Sequence, residues 1–365
     1  MNLFPNLERH YTKDDLSAQE AQRLAQYIAF GPIVFEASRM MLRFGILQLL
    51  RDNDEGLRVD EVASGCNISA YAAKVLLEAS LSIGTVLVEP QTEKYRISKT
   101  GWFLLNDEST KVNMDFNHDV NYEGFFKLEE ALREGRPAGL EHFGNWPTIY
   151  EGLSSLPAKA LESWMNFDHF YSDGSFDQAL EIVFEKKPKR LLDVGGNTGR
   201  WAMKCVEYDP DVTVTIADLP QQLEMMKEQT RGRKGADRIE CFPVNLLDRK
   251  NTLPEDVAFD AIWMSQFLDC FSEDEIQSIL ERTAAIMGPE ARLYIMETFW
   301  DRQKYETAAF CLTMTSLYFT AMANGNSKMY HSADMQRIVE NSGLEVETIH
   351  DYLGQGHSIM VCKKK

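Results

Sequence analysis

The stretch that most limits what this chain can fold into is Arg190 to Trp201, RLLDVGGNTGRW. An apolar run ends in an acid and then turns through Gly195, Gly196, Asn197, Thr198 and Gly199. This is the pattern of a buried parallel strand feeding a glycine loop that opens a helix. Gly195 and Gly196 let the backbone turn sharply and approach a ligand with no Cβ in the way. Gly199 allows the following helix to pack closely on the strand. A buried strand of this kind needs a parallel sheet covered by helices on both faces.

Residues 188–365 supply that sheet. Further strands are expected at 212–217, 239–243, 260–264, 292–297, 346–352 and 357–362, alternating with helical segments. Only Leu353-Gly354-Gln355-Gly356 separates the last two, which makes that pair antiparallel. The expected fold is α/β, a Rossmann-like seven-stranded sheet, mostly parallel with an antiparallel last strand.

Residues 1–110 read differently. Leu16, Leu24 and Ile28 recur at helical spacing, and Pro32 opens a second helix. In that helix Val34, Ala37, Met41, Phe44 and Leu47 share one face, which Ile33, Met40 and Leu50 widen. So broad an apolar face needs more than one packing partner, and a homodimer supplies one. From Leu57 to Leu105 the pattern is a winged helix: a helix at 58–64, a second at 70–83, and a hairpin of 85–89 with 94–97. Reading DNA would require cations on the second helix. It offers only Lys74, offset by Glu78, and the whole chain carries a net charge of −18. The winged unit is therefore expected to be a scaffold for dimerisation, with neither nucleic acid nor an anionic membrane as partner.

Residues 111–187 are expected to be a helical connector rich in aromatic side chains. Within it Trp164-Met165-Asn166-Phe167-Asp168-His169-Phe170-Tyr171 mixes apolar bodies with polar tips, as small-molecule pockets do. Trp164, Met165, Asp168 and His169 are the expected contacts to a small acceptor. The uncharged run 307–327 is interrupted by threonines and closed by Asn324-Gly325-Asn326, so it reads as a buried core helix rather than a membrane span. The N-terminus lacks the apolar core of a secretory signal, and the six cysteines are scattered with no metal-ligand spacing. A cytoplasmic protein with free thiols and no metal is expected.

Three acids and amides narrow the ligand of the glycine loop. Asp193 closes its strand just before the glycines. It would repel a pyrophosphate but attract the ammonium of a methionine moiety. Asp218, followed by Leu219 and Pro220, ends the second strand, where a carboxylate accepts both ribose hydroxyls. Asn245, beside Leu246, follows the third strand, where an amide could meet an adenine edge or simply make a turn. Together they favour S-adenosylmethionine over a dinucleotide.

With LDVGGNTG and IADLP in place, the chain resembles the class I S-adenosylmethionine-dependent methyltransferases. With its N-terminal winged helix and helical middle it resembles, over nearly its whole length, the small-molecule O-methyltransferases of plants and bacteria. The resemblance implies a homodimer joined through the N-terminal domain. It also implies a phenolic or other aromatic acceptor, and S-adenosylhomocysteine as product.

The resemblance breaks at the base. The family places a histidine after the fourth strand, and here the matching run 268–275 puts Asp269 at that position. Ser265 stands where the family has a lysine, and Asn245 where it has an acid. Met329 falls at the glutamate that orients the histidine. A free aspartate, with a pKa of about 3.9, is a weak base at neutral pH unless burial or a like charge raises it. His118, His169 and His331 are the other candidate bases. Two outcomes stay open on these residues. One is displacement of the sulfonium methyl onto an aromatic or polyketide-like acceptor. The other is a relative that binds the cofactor but decarboxylates or hydroxylates polyketides. A cofactor-sensing DNA-binding regulator is the reading from another class.

Overall fold

The structure is a computed structural model and describes residues 3–365. The chain divides into two compact units: Asp14–His118, and the segment up to Lys13 together with Asp119–Lys365.

In the first unit, helices Ala18–Ala29, Gly31–Arg43 and Ile46–Arg51 precede a helical pair, Val59–Gly65 and Ala70–Ile83. The hairpin of β1 (Val86–Glu89) and β2 (Lys94–Ile97) follows. Ser17 and Ser69 start their helices by accepting the backbone N–H of Glu20 and Ala72, the local reason those helices begin there. Met41, Ile46, Leu47, Leu50, Val62, Leu77 and Val86 form the core. The helix–turn–helix–hairpin pattern expected from Leu57 onward is present, with β1 and β2 paired antiparallel. Helix Ala18–Ala29 buries none of its residues.

The second unit carries β3 (Arg190–Val194), β4 (Thr213–Asp218), β5 (Ile239–Pro243), β6 (Ala261–Ser265), β7 (Arg292–Glu297), β8 (Leu344–Leu353) and β9 (His357–Lys364). Their order across the sheet is β5-β4-β3-β6-β7-β9-β8. The first five pair in parallel, and β9 runs antiparallel to both β7 and β8. Every expected strand forms. One apolar cluster, including Leu192, Val194, Ile262 and Leu293, covers one face, and another with Leu191, Trp201, Trp263 and Tyr294 covers the other. Strand order reverses at β3, with β4 on one side and β6 on the other. The loops leaving β3 and β6 therefore diverge and open a crevice at the strand ends.

The uncharged run becomes helix Glu306–Tyr318 followed by the π-helical turn Phe319–Ala323. Its second part is buried at Tyr318, Phe319, Ala321, Met322 and Ala323, but Phe310 and Met314 are 58% and 46% exposed. The expected core helix is therefore buried in its second part, while its first half packs through one side, at Ala309 and Leu312. No described helix is long and apolar enough to cross a membrane.

Candidate active site

The cleft lies where the topology places it, at the ends of β3 and β6. Asp168, His169, Asp193, Gly195, Gly196 and Ser265, all expected from sequence, line it together with Asn197, Arg200, Trp201 and Gln266. Gly195 adopts φ +75°, and a Cβ there would sit 2.3 Å from the Phe267 ring. A Cβ on Gly196 would lie 2.7 Å from Asp193 Oδ2. Gly199, at φ +76°, is the N-cap of helix Arg200–Tyr208. A Cβ on Gly199 would meet Met226 at 2.6 Å.

Asp193 is 2% exposed. Burial, and then the nearby charge of Asp218, pushes its carboxyl well above the ordinary carboxylate range. Asp218 accepts the backbone N–H of Asn197 at 2.8 Å and of Leu219 at 2.7 Å. It thereby clasps the glycine loop to the end of β4, and burial raises it to about 6. Each of its oxygens keeps a lone pair for a ligand hydroxyl.

Four buried polar atoms along this cleft have no partner among the described residues: Asp193 Oδ2, Asn197 Oδ1, Trp201 Nε1 and Gln266 Oε1. Buried polar groups are nearly always paired, so a cleft that gathers four unpaired ones is built for a polar ligand. Asn197 and Gln266 also hold positive φ, +47° and +45°, a backbone cost that recurs where a loop is shaped around a ligand. A ligand combining an ammonium, a carboxylate and a ribose fits this set of donors and acceptors. S-Adenosylmethionine has all three.

Other expected contacts are not among the residues that line this cleft. Asn245 is an exposed turn residue whose Oδ1 accepts the Leu247 N–H at 3.0 Å, and Leu246 points into the core. Leu219 is the N-cap of helix Pro220–Thr230. Trp164 is buried and donates its indole N–H to the Tyr318 hydroxyl at 2.7 Å. Met165 is half-buried one residue further along that helix. His331 caps helix Ser332–Asn341 by accepting the Ala333 N–H.

Asp269 sits in the short turn Leu268–Cys270, 4% exposed. Three elements pin this turn. Glu297 Oε1, at the end of β7, accepts the N–H of Phe267 at 3.1 Å and of Leu268 at 2.9 Å. The Asn324 amide donates to the Cys270 carbonyl, and the Tyr330 hydroxyl to that of Phe271. Burial raises Asp269 to about 6. Burial, and then the charge of Asp269, pushes Glu297 well above the ordinary carboxylate range. Asp168, in the cleft, is raised to about 7 by burial and by the charges of Asp269 and Asp173. Met329 is buried and offers no charge; its N–H donates to Ser316 Oγ. The carboxyl that holds the Asp269 turn is thus Glu297. Its signal in the sequence was an acid ending an apolar strand, the same signature as Asp193 and Asp218.

The sheet order, the loop and the clasped acid define a class I methyltransferase fold. The sequence matches the Dimerisation2-like domain over residues 22–95 and the O-methyltransferase domain over residues 158–345. The second match spans just over half the chain, which therefore belongs to the O-methyltransferase family and is an enzyme that uses S-adenosylmethionine. It is 24% identical over 311 residues to human acetylserotonin O-methyltransferase, covering 79% of this chain and 83% of that one. It is 25% identical over 156 residues to the mitomycin biosynthesis 6-O-methyltransferase of Streptomyces lavendulae, covering 43% and 42%. Among solved structures it is similar to the mitomycin 7-O-methyltransferase, with a TM-score of 0.69 at 18% identity over 94% of this chain and 98% of that one. Human N-acetylserotonin methyltransferase in complex with SAM superposes with a TM-score of 0.64 at 19% identity over 97% and 99%.

Proposed function

We propose that this enzyme methylates a hydroxyl of a small aromatic or polyketide-like acceptor, with Asp269 as the base. The observation that carries the reading is the burial of Asp269 in a pinned turn that follows β6, where its carboxyl is raised to about 6. A carboxylate at that value is a far better proton acceptor than a free aspartate, yet still ionised at neutral pH. S-Adenosylmethionine supplies an electrophilic methyl on a cationic sulfonium. Asp269 takes the acceptor's hydroxyl proton while the oxygen attacks the methyl carbon in line. The carbon–sulfur bond breaks and its electron pair stays on sulfur, giving a methyl ether and S-adenosylhomocysteine. Trp164, Met165, Asp168, His169 and Met329 are assigned to the acceptor side. Asp193, Gly195, Gly196, Gly199, Asp218, Leu219 and Ser265 are assigned to the cofactor. Holding acceptor and methyl in line supplies much of the barrier reduction. Incubating the protein with cofactor labelled in its methyl group and a panel of phenols and hydroxylated polycyclic aromatics tests this. Label in an ether is expected, and label in none of them would refute the reading.

The same proposal takes the enzyme to be a homodimer joined through the N-terminal unit. Ile28, Phe30 and Ile33 are 72%, 55% and 63% exposed, and Leu24 is 49% exposed. These residues lie along helices Ala18–Ala29 and Gly31–Arg43 within the Dimerisation2-like match. Such a contiguous apolar surface on a single chain calls for a partner. Ile33→Glu should turn the dimer into a monomer in light scattering at micromolar concentration. An unchanged dimer mass would place the interface elsewhere.

A further inference from the structure

We infer that the indole N–H of Trp201 holds the carboxylate of the cofactor's methionine end, while Asp193 holds the ammonium on the same carbon; this rests on S-adenosylmethionine being the ligand of the cleft. Of the four unpaired buried atoms there, Asp193 Oδ2, Asn197 Oδ1 and Gln266 Oε1 are acceptors, and Trp201 Nε1 is the sole donor. An indole N–H can only donate, so its partner must be an acceptor on the ligand. The methionine end of S-adenosylmethionine pairs a donor-only ammonium with an acceptor-only carboxylate, the complement of Asp193 and Trp201.

The fold brings these two side chains to one place. Asp193 on β3 and Trp263 on β6 are direct partners in the parallel ladder, so their side chains share a sheet face. Trp201 stacks on Trp263, with ring centroids 4.1 Å apart and planes 16° from parallel. That stack fixes the indole on the face Asp193 occupies. Both residues are almost fully buried, 3% exposed for Trp201 and 2% for Asp193. Trp201 also stands in the first turn of helix Arg200–Tyr208, whose end favours an anion. Arg200, the nearest full cation in sequence, is engaged by Asp173.

The test compares S-adenosylhomocysteine with its decarboxylated analogue, which keeps the amine and lacks the carboxylate. Trp201→Phe keeps an aromatic ring against Trp263 and removes the N–H together with one ring of the indole, a packing loss that both ligands share. By calorimetry, its affinity for S-adenosylhomocysteine should fall at least tenfold, and its affinity for the analogue should stay within about twofold of the wild type. Equal losses for both ligands, or no loss for either, would overturn the assignment. A second measurement uses the wild type alone, in case the variant does not fold. The indole N–H proton of one buried tryptophan should move downfield with S-adenosylhomocysteine and stay in place with the amine analogue. The same response to both ligands would again refute it. Failure of the wild type to bind either ligand would instead bring down the cofactor reading on which this one rests.

Discussion

Asp269→Asn should lower kcat for an ordinary phenol by about 100-fold or more at pH 8, the usual scale for removing a general base. Its affinity for S-adenosylhomocysteine should stay near the wild-type value. The substitution is close to isosteric, and Glu297 still holds the turn through the N–H groups of Phe267 and Leu268. The pH profile gives an independent readout. Asp269 must be ionised to accept a proton, so wild-type kcat/KM should rise with pH through about 6 and then level. With the cofactor saturating, so that Asp218 does not contribute, that limb should vanish in Asp269→Asn. An acceptor acidic enough to be ionised already should be methylated by the variant almost as fast as by the wild type. A variant that keeps full activity on a weakly acidic phenol would remove Asp269 from the chemistry.

The same residue links function to stability. Its folded pKa, about 6, lies above the unfolded value of about 3.8. Ionised Asp269 therefore disfavours the folded state. The stability it grants is complete below about pH 4 and is lost as pH rises through about 6. The difference is on the order of 3 kcal/mol. Asp269→Asn should accordingly raise the Tm at pH 8 while it slows turnover of an ordinary phenol, and the gain should disappear near pH 4. A stabilised but slower variant is the expected mark of a residue placed for catalysis at the expense of packing.

How much of this was legible in the sequence depends on how local the signal was. The strands of the sheet were legible because each is a short apolar run bounded by turn residues, and period and length decide that pattern without tertiary help. Gly195, Gly196 and Gly199 were legible because the backbone they require is a local property. Asp193 and Asp218 were legible because an acid at the end of a buried strand is costly unless it meets a ligand or a clasped loop. Glu297 carries the same signal on β7, but its role is not legible locally. Its partners are the N–H groups of Phe267 and Leu268, thirty residues earlier in the chain, and only the pairing of β6 with β7 brings them together. Trp201 was hidden for a similar reason. Its indole looks like core until its stack on Trp263 and its unpaired nitrogen are seen together. Asn245 shows the opposite limit. Its type and place after β5 suit an adenine contact, its Oδ1 accepts the Leu247 N–H as a turn residue's does, and an amide that accepts there can still donate through its NH2 group, so both readings stand.

Asp218 should have the largest effect on cofactor binding. Its carboxylate clasps the Asn197 and Leu219 N–H groups and has lone pairs left for both ribose hydroxyls. Asp218→Asn keeps the shape but turns one oxygen into an NH2 group, which must either face a backbone N–H or surrender a ribose contact. Losing a charged acceptor for two hydroxyls, each worth about 1.5–3 kcal/mol, weakens binding about 100-fold or more. The clasp also supports the positive φ of Asn197, so the variant should lose order in the glycine loop as well, seen as faster amide exchange at residues 195–199. Its ligand profile should differ from that of Trp201→Phe. Because the ribose is common to all of them, S-adenosylhomocysteine, its decarboxylated analogue and 5′-methylthioadenosine should weaken together. Acid should mimic the mutation. Asp218 protonates near pH 6 in the free protein, and an ionised carboxylate is the form that accepts both hydroxyls. Affinity for S-adenosylhomocysteine should therefore fall as pH drops below about 6, by up to about tenfold per unit where this group alone titrates. In Asp218→Asn that dependence should be gone. A variant that binds all three ligands as well as the wild type would separate the clasp from the ribose and leave Asp218 with a purely structural role.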